Sequence, residues 1–301
     1  MKIKNVILVL TFSLATNVVF SQANVEKTGA LLWKISGKDL PKPSYLLGTF
    51  HLKPGAFLDS IPGAKSALLS AEQVIGELSM ADKAGLLLQT KQAMMMPADT
   101  TYQMLYSEEE YQFVNKQLTG TFGVGLDQLK MLVPAGINTA HVMMMFQKYF
   151  PDANPEDIID AAVQNIATEN NKPIVGLETI EEQIKIVFGV PLKRQAEVLL
   201  CSLKEPDYSI RTVESIIEAY NRFDLTELYK ISLSEDAPCP ASKEEMDQLN
   251  KNRNDKWMQV LPAMMKEKSS FVAVGALHLI GEEGLLNQLE KAGYTVEAVQ
   301  E

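Results

Sequence analysis

The chain contains three histidines, and two of them stand in the same local frame. The stretches SYLLGTFHL, ending at Leu52, and FVAVGALHL, ending at Leu279, each run from an apolar, β-prone segment to a glycine, two further residues, a histidine and a leucine. Gly48 and Gly275 let the chain turn sharply there, or let another group approach the backbone. In a sheet of parallel strands, side chains just beyond the carboxyl ends line the usual ligand crevice. Two neutral imidazoles delivered to that edge can share zinc, manganese, iron or cobalt. His51 and His278 are therefore candidate metal ligands. A single histidine after a strand is more often a hydrogen-bonded, partly buried side chain, and it is the repetition of the frame that singles out this pair.

A catalytic metal site uses a third protein ligand and an open position for water. Glu77 is the leading candidate, because it closes the apolar run Val74-Ile75-Gly76, where an unpaired charge is costly. Glu178 follows Ile174-Val175-Gly176-Leu177 in the same way. Either carboxylate could be a ligand or the base that activates the water; the plain alternative for each is a strand-end acid that caps the next helix or pairs with a cation. Arg253, beside Asn254, could steady an oxyanion or clamp a carboxylate, against the default of a solvated charged helix face. His141 precedes Val142 and Met143–Met145 on an amphipathic stretch and reads as a packing or surface residue. The methionine clusters fit helix faces packed in a core or a greasy groove better than a copper site. GxSxG, HExxH, P-loop and GxGxxG patterns are absent from the sequence.

The elements that must position these groups are legible from periodicity and turn residues. Leu31–Ile35 and Ser44–Thr49 read as two strands joined through Gly37, Pro41 and Pro43, hence a hairpin. A helix around Ala64–Ala71 and a strand at Gln73–Leu78 follow, which places the second and third strands in parallel. From Leu86 to Phe150 the pattern is helical and rich in Met, including Met94–Met96. A β signal returns at Lys172–Leu177, then helices are expected over Leu192–Leu203, Ser209–Phe223 and Lys243–Glu267. The end reads strand, helix, strand, with Ser270–Ala276, Glu283–Ala292 and Thr295–Val299, and Gly293 in the place of a helix C-cap glycine. The fold class is α/β or α+β: a mixed sheet assembled from N- and C-terminal strands in one domain over residues 22–301, with a helical insertion at about 86–170. Two independent domains are the alternative.

The N-terminus reads Met1-Lys2-Ile3-Lys4, then an apolar stretch from Val6 to Phe20, then Ser21-Gln22-Ala23. That is the layout of a signal peptide over residues 1–21, with an apolar part shorter than the roughly 20 residues of a spanning helix. The expected product is exported, whether periplasmic, on the outer surface or secreted, with no stable membrane anchor after cleavage. The formal net charge is −10, and losing residues 1–21 removes two lysines and no acid, leaving −12. Such a surface repels phosphate backbones, which argues against a nucleic-acid partner. Cys201 and Cys239 would meet an oxidising compartment, so one disulfide is open. Neither lies in a CxxC pair, which disfavours a zinc-thiolate site.

Taken together, the LLWKISG opening, YLLGTFHL, the strand ending in Glu77, VGLETIEEQ at Val175–Gln183, the Arg253-Asn254 helix and the closing FVAVGALHLIGEEGLLNQLEKAGYTVEAV resemble the TraB/GumN family, to which the TIKI metalloproteases also belong. The resemblance covers essentially the chain after residue 21. It implies a divalent-metal site on both Gly-x-x-His motifs, here His51 and His278, with Glu77 matching the strand-end acid. It further implies peptide-bond hydrolysis with manganese or cobalt rather than zinc, on a peptide or protein substrate. In a metal-dependent hydrolase built on these residues, Glu178 or a nearby carboxylate takes the proton from the attacking water and Arg253 steadies the developing charge. The other function consistent with these residues is a non-catalytic periplasmic or surface protein that holds a metal, a haem-like cofactor or a peptide in the same pocket.

Overall fold

In a computed structural model, residues 29–149, 157–234 and 237–300 are described. The expected export segment, residues 1–21, lies outside them. Among the described residues no helix is long and apolar enough to cross a membrane.

Six strands form one mixed sheet, so the fold is α/β. They are β1 (Leu32–Ser36), β2 (Ser44–Thr49), β3 (Gln73–Gly76), β4 (Ile174–Gly176), β5 (Ser270–Gly275) and β6 (Thr295–Ala298), in the order β4-β3-β5-β2-β1-β6. The β1–β2 hairpin is antiparallel, and β6 adds antiparallel to β1. β2, β3 and β4 all run in the direction of β5. The second and third strands therefore share a direction, as their crossover predicts, but β5 from the far end of the chain lies between them. Central position explains its composition. Ser270 to Val274 are all buried, which suits a strand covered on both faces.

The main core packs against this sheet and includes Leu46, Leu47, Val74, Ile75, Phe271, Val272, Tyr220 and Trp257. A second cluster, with Tyr102, Tyr106, Val114, Leu118, Ile137 and Leu199, joins the helices after residue 100 to Leu192–Lys204. The helix Ile159–Glu169 packs on the sheet instead, through Ile159, Val163 and Ala167.

Two sequence expectations need correction. Lys243–Glu267 is not one helix: a π-helical turn at Asp247–Lys251 separates Lys243–Met246 from Asn252–Trp257, and Leu261–Glu267 begins anew with Pro262 in its first turn, where proline is tolerated. Met94–Met96 is not helical, because the Lys83–Ala93 helix has ended and Met95 bridges Leu132. Gly293 does hold a left-handed conformation, φ +91°, just past the Leu285–Lys291 helix. Cys201 and Cys239 are joined in a disulfide.

Candidate active site

Four parallel strands end on one edge of the sheet, and each delivers a candidate group just beyond its last residue. Across the edge the lateral order follows the strand order: Glu178 after β4, Glu77 after β3, His278 after β5 and His51 after β2. β2 and β5 pair so that Gly48 faces Val274 and Thr49 faces Gly275, which sets the two Gly-x-x-His motifs side by side. A Cβ at Gly48 would stand 3.1 Å from the Ala276 backbone, so a larger residue would push the two motifs apart by a few tenths of an ångström. A Cβ at Gly275 would lie 3.3 Å from a Glu77 oxygen, and the Gly275 amide donates to that same Oε1 at 2.8 Å.

The chain after β4 continues the ladder, with Glu178 N donating to Glu77 O at 3.0 Å, and then enters the Ile180–Phe188 helix through a Thr179–Glu182 capping box. That pins Glu178 beside Glu77. Arg253 unites the two. Its Nη2 donates to Glu77 Oε2 at 2.6 Å and to Glu178 Oε1, its Nε donates to Glu178 Oε2 at 3.1 Å, and its Nη1 donates to His278 Nε2 at 2.9 Å. The π-helical turn at Asp247–Lys251 immediately precedes the helix that carries Arg253, and such turns often sit at functional positions. One turn on, Trp257 is fully buried beneath both groups, its ring 4.8 Å from the guanidinium carbon and 4.5 Å from the His278 ring.

Each imidazole is held through Nδ1. Asn254 donates its amide to the carbonyls of His278 and Glu283, so its Oδ1 is the acceptor for His278 Nδ1–H at 2.8 Å. Because Arg253 can only donate, His278 Nε2 bears the lone pair. Burial, aided by the charges of Arg253 and His51 against that of Glu77, pushes the His278 pKa down to about 4. His51 Nδ1 bonds Asp160 Oδ2 at 2.9 Å, and Thr49 Oγ1 donates to the other Asp160 oxygen at 2.7 Å. That hydrogen bond, with the Asp160 charge, lifts the His51 pKa to about 9 although burial works against it. Burial pushes the Glu77 carboxyl up, but His278, Arg253, the Gly275 amide and His51 outweigh it and hold it below the usual carboxylate range.

His51, Glu77 and Arg253 face a cleft of about 220 Å³ whose polar wall also includes Asp160, Gln164 and Gln183; His278, 5% exposed, does not line it. Glu178 is not part of that wall. Its side chain is 2% exposed and both its oxygens are engaged by Arg253, with Gln183 donating to Oε1 at 2.7 Å. His141 is buried in the Pro134–Tyr149 helix against Phe122, away from the strand ends. Sequence reasoning missed Asp160 and Gln183. The available signal for Asp160 was an acid on a strongly amphipathic helix, followed four residues on by Gln164, a polar stripe beside the apolar one.

The donor chemistry fits a divalent metal in kind. Both rings are oriented through Nδ1 by an oxygen acceptor, the arrangement that prepares Nε2 for coordination, and Glu77 is a third oxygen donor. Among the described residues, however, no three His, Cys, Asp or Glu side chains converge on one point. Arg253 holds the Nε2 of His278. A metal drawing on both imidazoles must take that bond from Arg253.

Fold and site together define an α/β protein with a histidine–carboxylate–arginine cluster at the carboxyl edge of four parallel strands. The TraB/PrgY/gumN family model matches residues 31–298, and the chain belongs to that family. No curated protein and no solved structure was found to match it.

Proposed function

We propose that this chain is an exported metal-dependent hydrolase that cleaves peptide bonds, with His51, His278 and Glu77 as the metal's ligands and manganese or cobalt as its metal. The supporting observation is the parallel pairing of β2 with β5, which sets the two Gly-x-x-His motifs side by side, each imidazole anchored through Nδ1. His51, His278 and Glu77 would hold the ion, whose chemistry there would be to lower the pKa of bound water and polarise a carbonyl. The protein's own groups supply the rest. Arg253, once released from the Nε2 of His278, offers a guanidinium for charge developing on a carbonyl oxygen. Glu178, the sequence candidate for the base, serves better as the residue that holds Arg253, whereas Glu77 faces the cleft and can accept a proton at Oε2 once Arg253 moves toward substrate. Export is supported by the Lys2/Lys4 and Val6–Phe20 layout and by the Cys201–Cys239 disulfide, a bond typical of oxidising compartments.

A non-catalytic ligand-binding protein is the second reading, favoured by one observation: Arg253 already satisfies Glu77, Glu178 and His278 as a closed cluster. Incubating the purified protein with a denatured protein mixture and manganese, cobalt or zinc separates the two. Hydrolysis predicts new peptide termini by mass spectrometry, lost in His278→Ala; no fragments under any metal would leave the binding reading.

A further inference from the structure

The strand-end cleft is amphipathic, and the chemistry at the strand ends uses only its polar wall. Beside His51, Glu77 and Arg253 its lining includes Met80, Val163, Ile186, Val187 and Leu249. Val187 and Leu249, 49% and 40% exposed, are the most open of these. The cleft volume of about 220 Å³ is the share of about seven waters, below the roughly 300 Å³ at which pockets for drug-sized ligands begin. It suits one large side chain.

Two observations say what belongs there. The first is the Ile180–Phe188 helix, which is strongly amphipathic although none of its residues is buried. Such a helix ordinarily covers its apolar stripe with core. Here Gln183, Ile186 and Val187, spaced three and four residues apart and so on one face, line the cleft instead. The second is the Gln183 amide. Its Nε2 donates to Glu178 Oε1 at 2.7 Å and to Glu77 Oε2 at 3.3 Å. Carboxylates only accept, which fixes the amide with its nitrogen toward them. Among the described residues nothing donates to its Oε1, and that oxygen reaches solvent. About 5 Å of helix axis separates this acceptor from Ile186 and Val187. A peptide residue presents the matching pair, an N–H donor two bonds from its side chain.

We propose that this wall is the subsite for one large apolar side chain of the peptide substrate, that Gln183 Oε1 accepts the backbone N–H of the same residue, and that Ile186, Val187 and Leu249 set the preference. The assignment rests on the peptide-hydrolase reading and places a leucine, phenylalanine or methionine beside the bond presented to His51, Glu77 and Arg253. An acidic side chain would lose its water among these apolar groups without a partner. A lipid acyl chain would fill the wall but has no donor for Gln183.

The test reads binding without turnover, in the purified protein stripped of metal with EDTA. Fluorescein-labelled Gly-Gly-X-Gly-Gly peptides, with Leu, Phe, Asp, Lys or Gly as X, are titrated by anisotropy, so that X alone carries a side chain. The Leu and Phe peptides should bind about tenfold or more tightly than the Gly peptide, the size expected for burying one such side chain, and the Asp peptide no more tightly than Gly. Val187→Asp and Leu249→Asp, at positions open enough to accept a charge, should each erase the preference while thermal melting shows the fold kept. Gln183→Ala should weaken all five peptides by a similar factor and preserve the ratios among them. Equal affinity for every X, tightest binding of the Lys peptide, or a preference that survives both Asp variants would overturn the assignment. So would displacement of the Leu peptide by dodecanoate with affinities untouched by Gln183→Ala, which would make the wall an acyl-chain site. Preference without cleavage of a denatured protein mixture under any metal would keep the subsite and remove hydrolysis; cleavage without preference would do the reverse.

Discussion

Arg253 donates to the Nε2 of His278 at 2.9 Å while holding Glu77 and Glu178 with its remaining nitrogens, so one guanidinium joins the ends of three parallel strands. The nitrogen it occupies is the one that His278 would offer to a metal. Arg253 is therefore both the cation that makes two buried carboxylates tolerable and the group that must move for a metal to bind.

Arg253→Met leaves Glu77, 12% exposed, and Glu178, 2% exposed, without their shared cation. Breaking a buried ion pair from one side costs about 3–5 kcal/mol. The urea midpoint should fall accordingly with an unchanged slope. A loss below about 1 kcal/mol, the level of exposed pairs, would show that the cluster is open to water.

The pKa values of the two site histidines are shifted in opposite directions. His51 has a folded pKa near 9, above its ordinary 6.5, so its contribution to stability is complete below about pH 6.5 and is lost as pH rises through 9. His278 has a folded pKa near 4, so it destabilises the fold increasingly as pH falls from 6.5 toward 4. From these two residues, stability peaks near pH 6.5. The His51 ring is 62% exposed, and solvent screening damps its share. Proton NMR at pH 7 should find His51 charged and His278 neutral with the proton on Nδ1. Asp160→Asn should bring the His51 midpoint down toward 6.5; an unmoved midpoint would remove Asp160 from the account.

Much of this site was readable because the strand ends announce themselves. Gly48-x-x-His51 and Gly275-x-x-His278 stand out as a repeated frame, and Glu77 and Glu178 stand out as charges closing apolar runs. Their neighbours depend on facts that no local pattern carries. That β5 inserts between β2 and β3 is a matter of long-range pairing, and it decides that Glu77 and His51 flank His278. Asp160 reaches His51 from a helix 109 residues away, so its partner is invisible until the sheet is assembled. The break of Lys243–Glu267 at the π-helical turn and at Pro262 was equally hidden, because an apolar period survives both interruptions.

The Cys201–Cys239 bond closes a loop with a sequence separation of 38 residues. Chain-entropy reasoning assigns a loop of that size about 4 kcal/mol. It ties the Leu192–Lys204 helix to the segment leading toward Arg253, a link that Arg194 reinforces by donating to Glu245 at 2.7 and 3.0 Å. The Cys201→Ser, Cys239→Ser double variant should lower the urea-unfolding free energy by about 2–4 kcal/mol, and reductant should then have no further effect. Equal stability of oxidised and reduced wild type would contradict this.

The central claim is that His51 and His278 share one divalent metal. It is tested most directly by elemental analysis of the purified protein after manganese or cobalt loading and dialysis, beside His51→Ala and His278→Ala with their folds checked by circular dichroism. The account predicts close to one metal per wild-type chain and its loss in each single variant. A wild type that retains no metal under any loading, or variants that retain it fully, would contradict it.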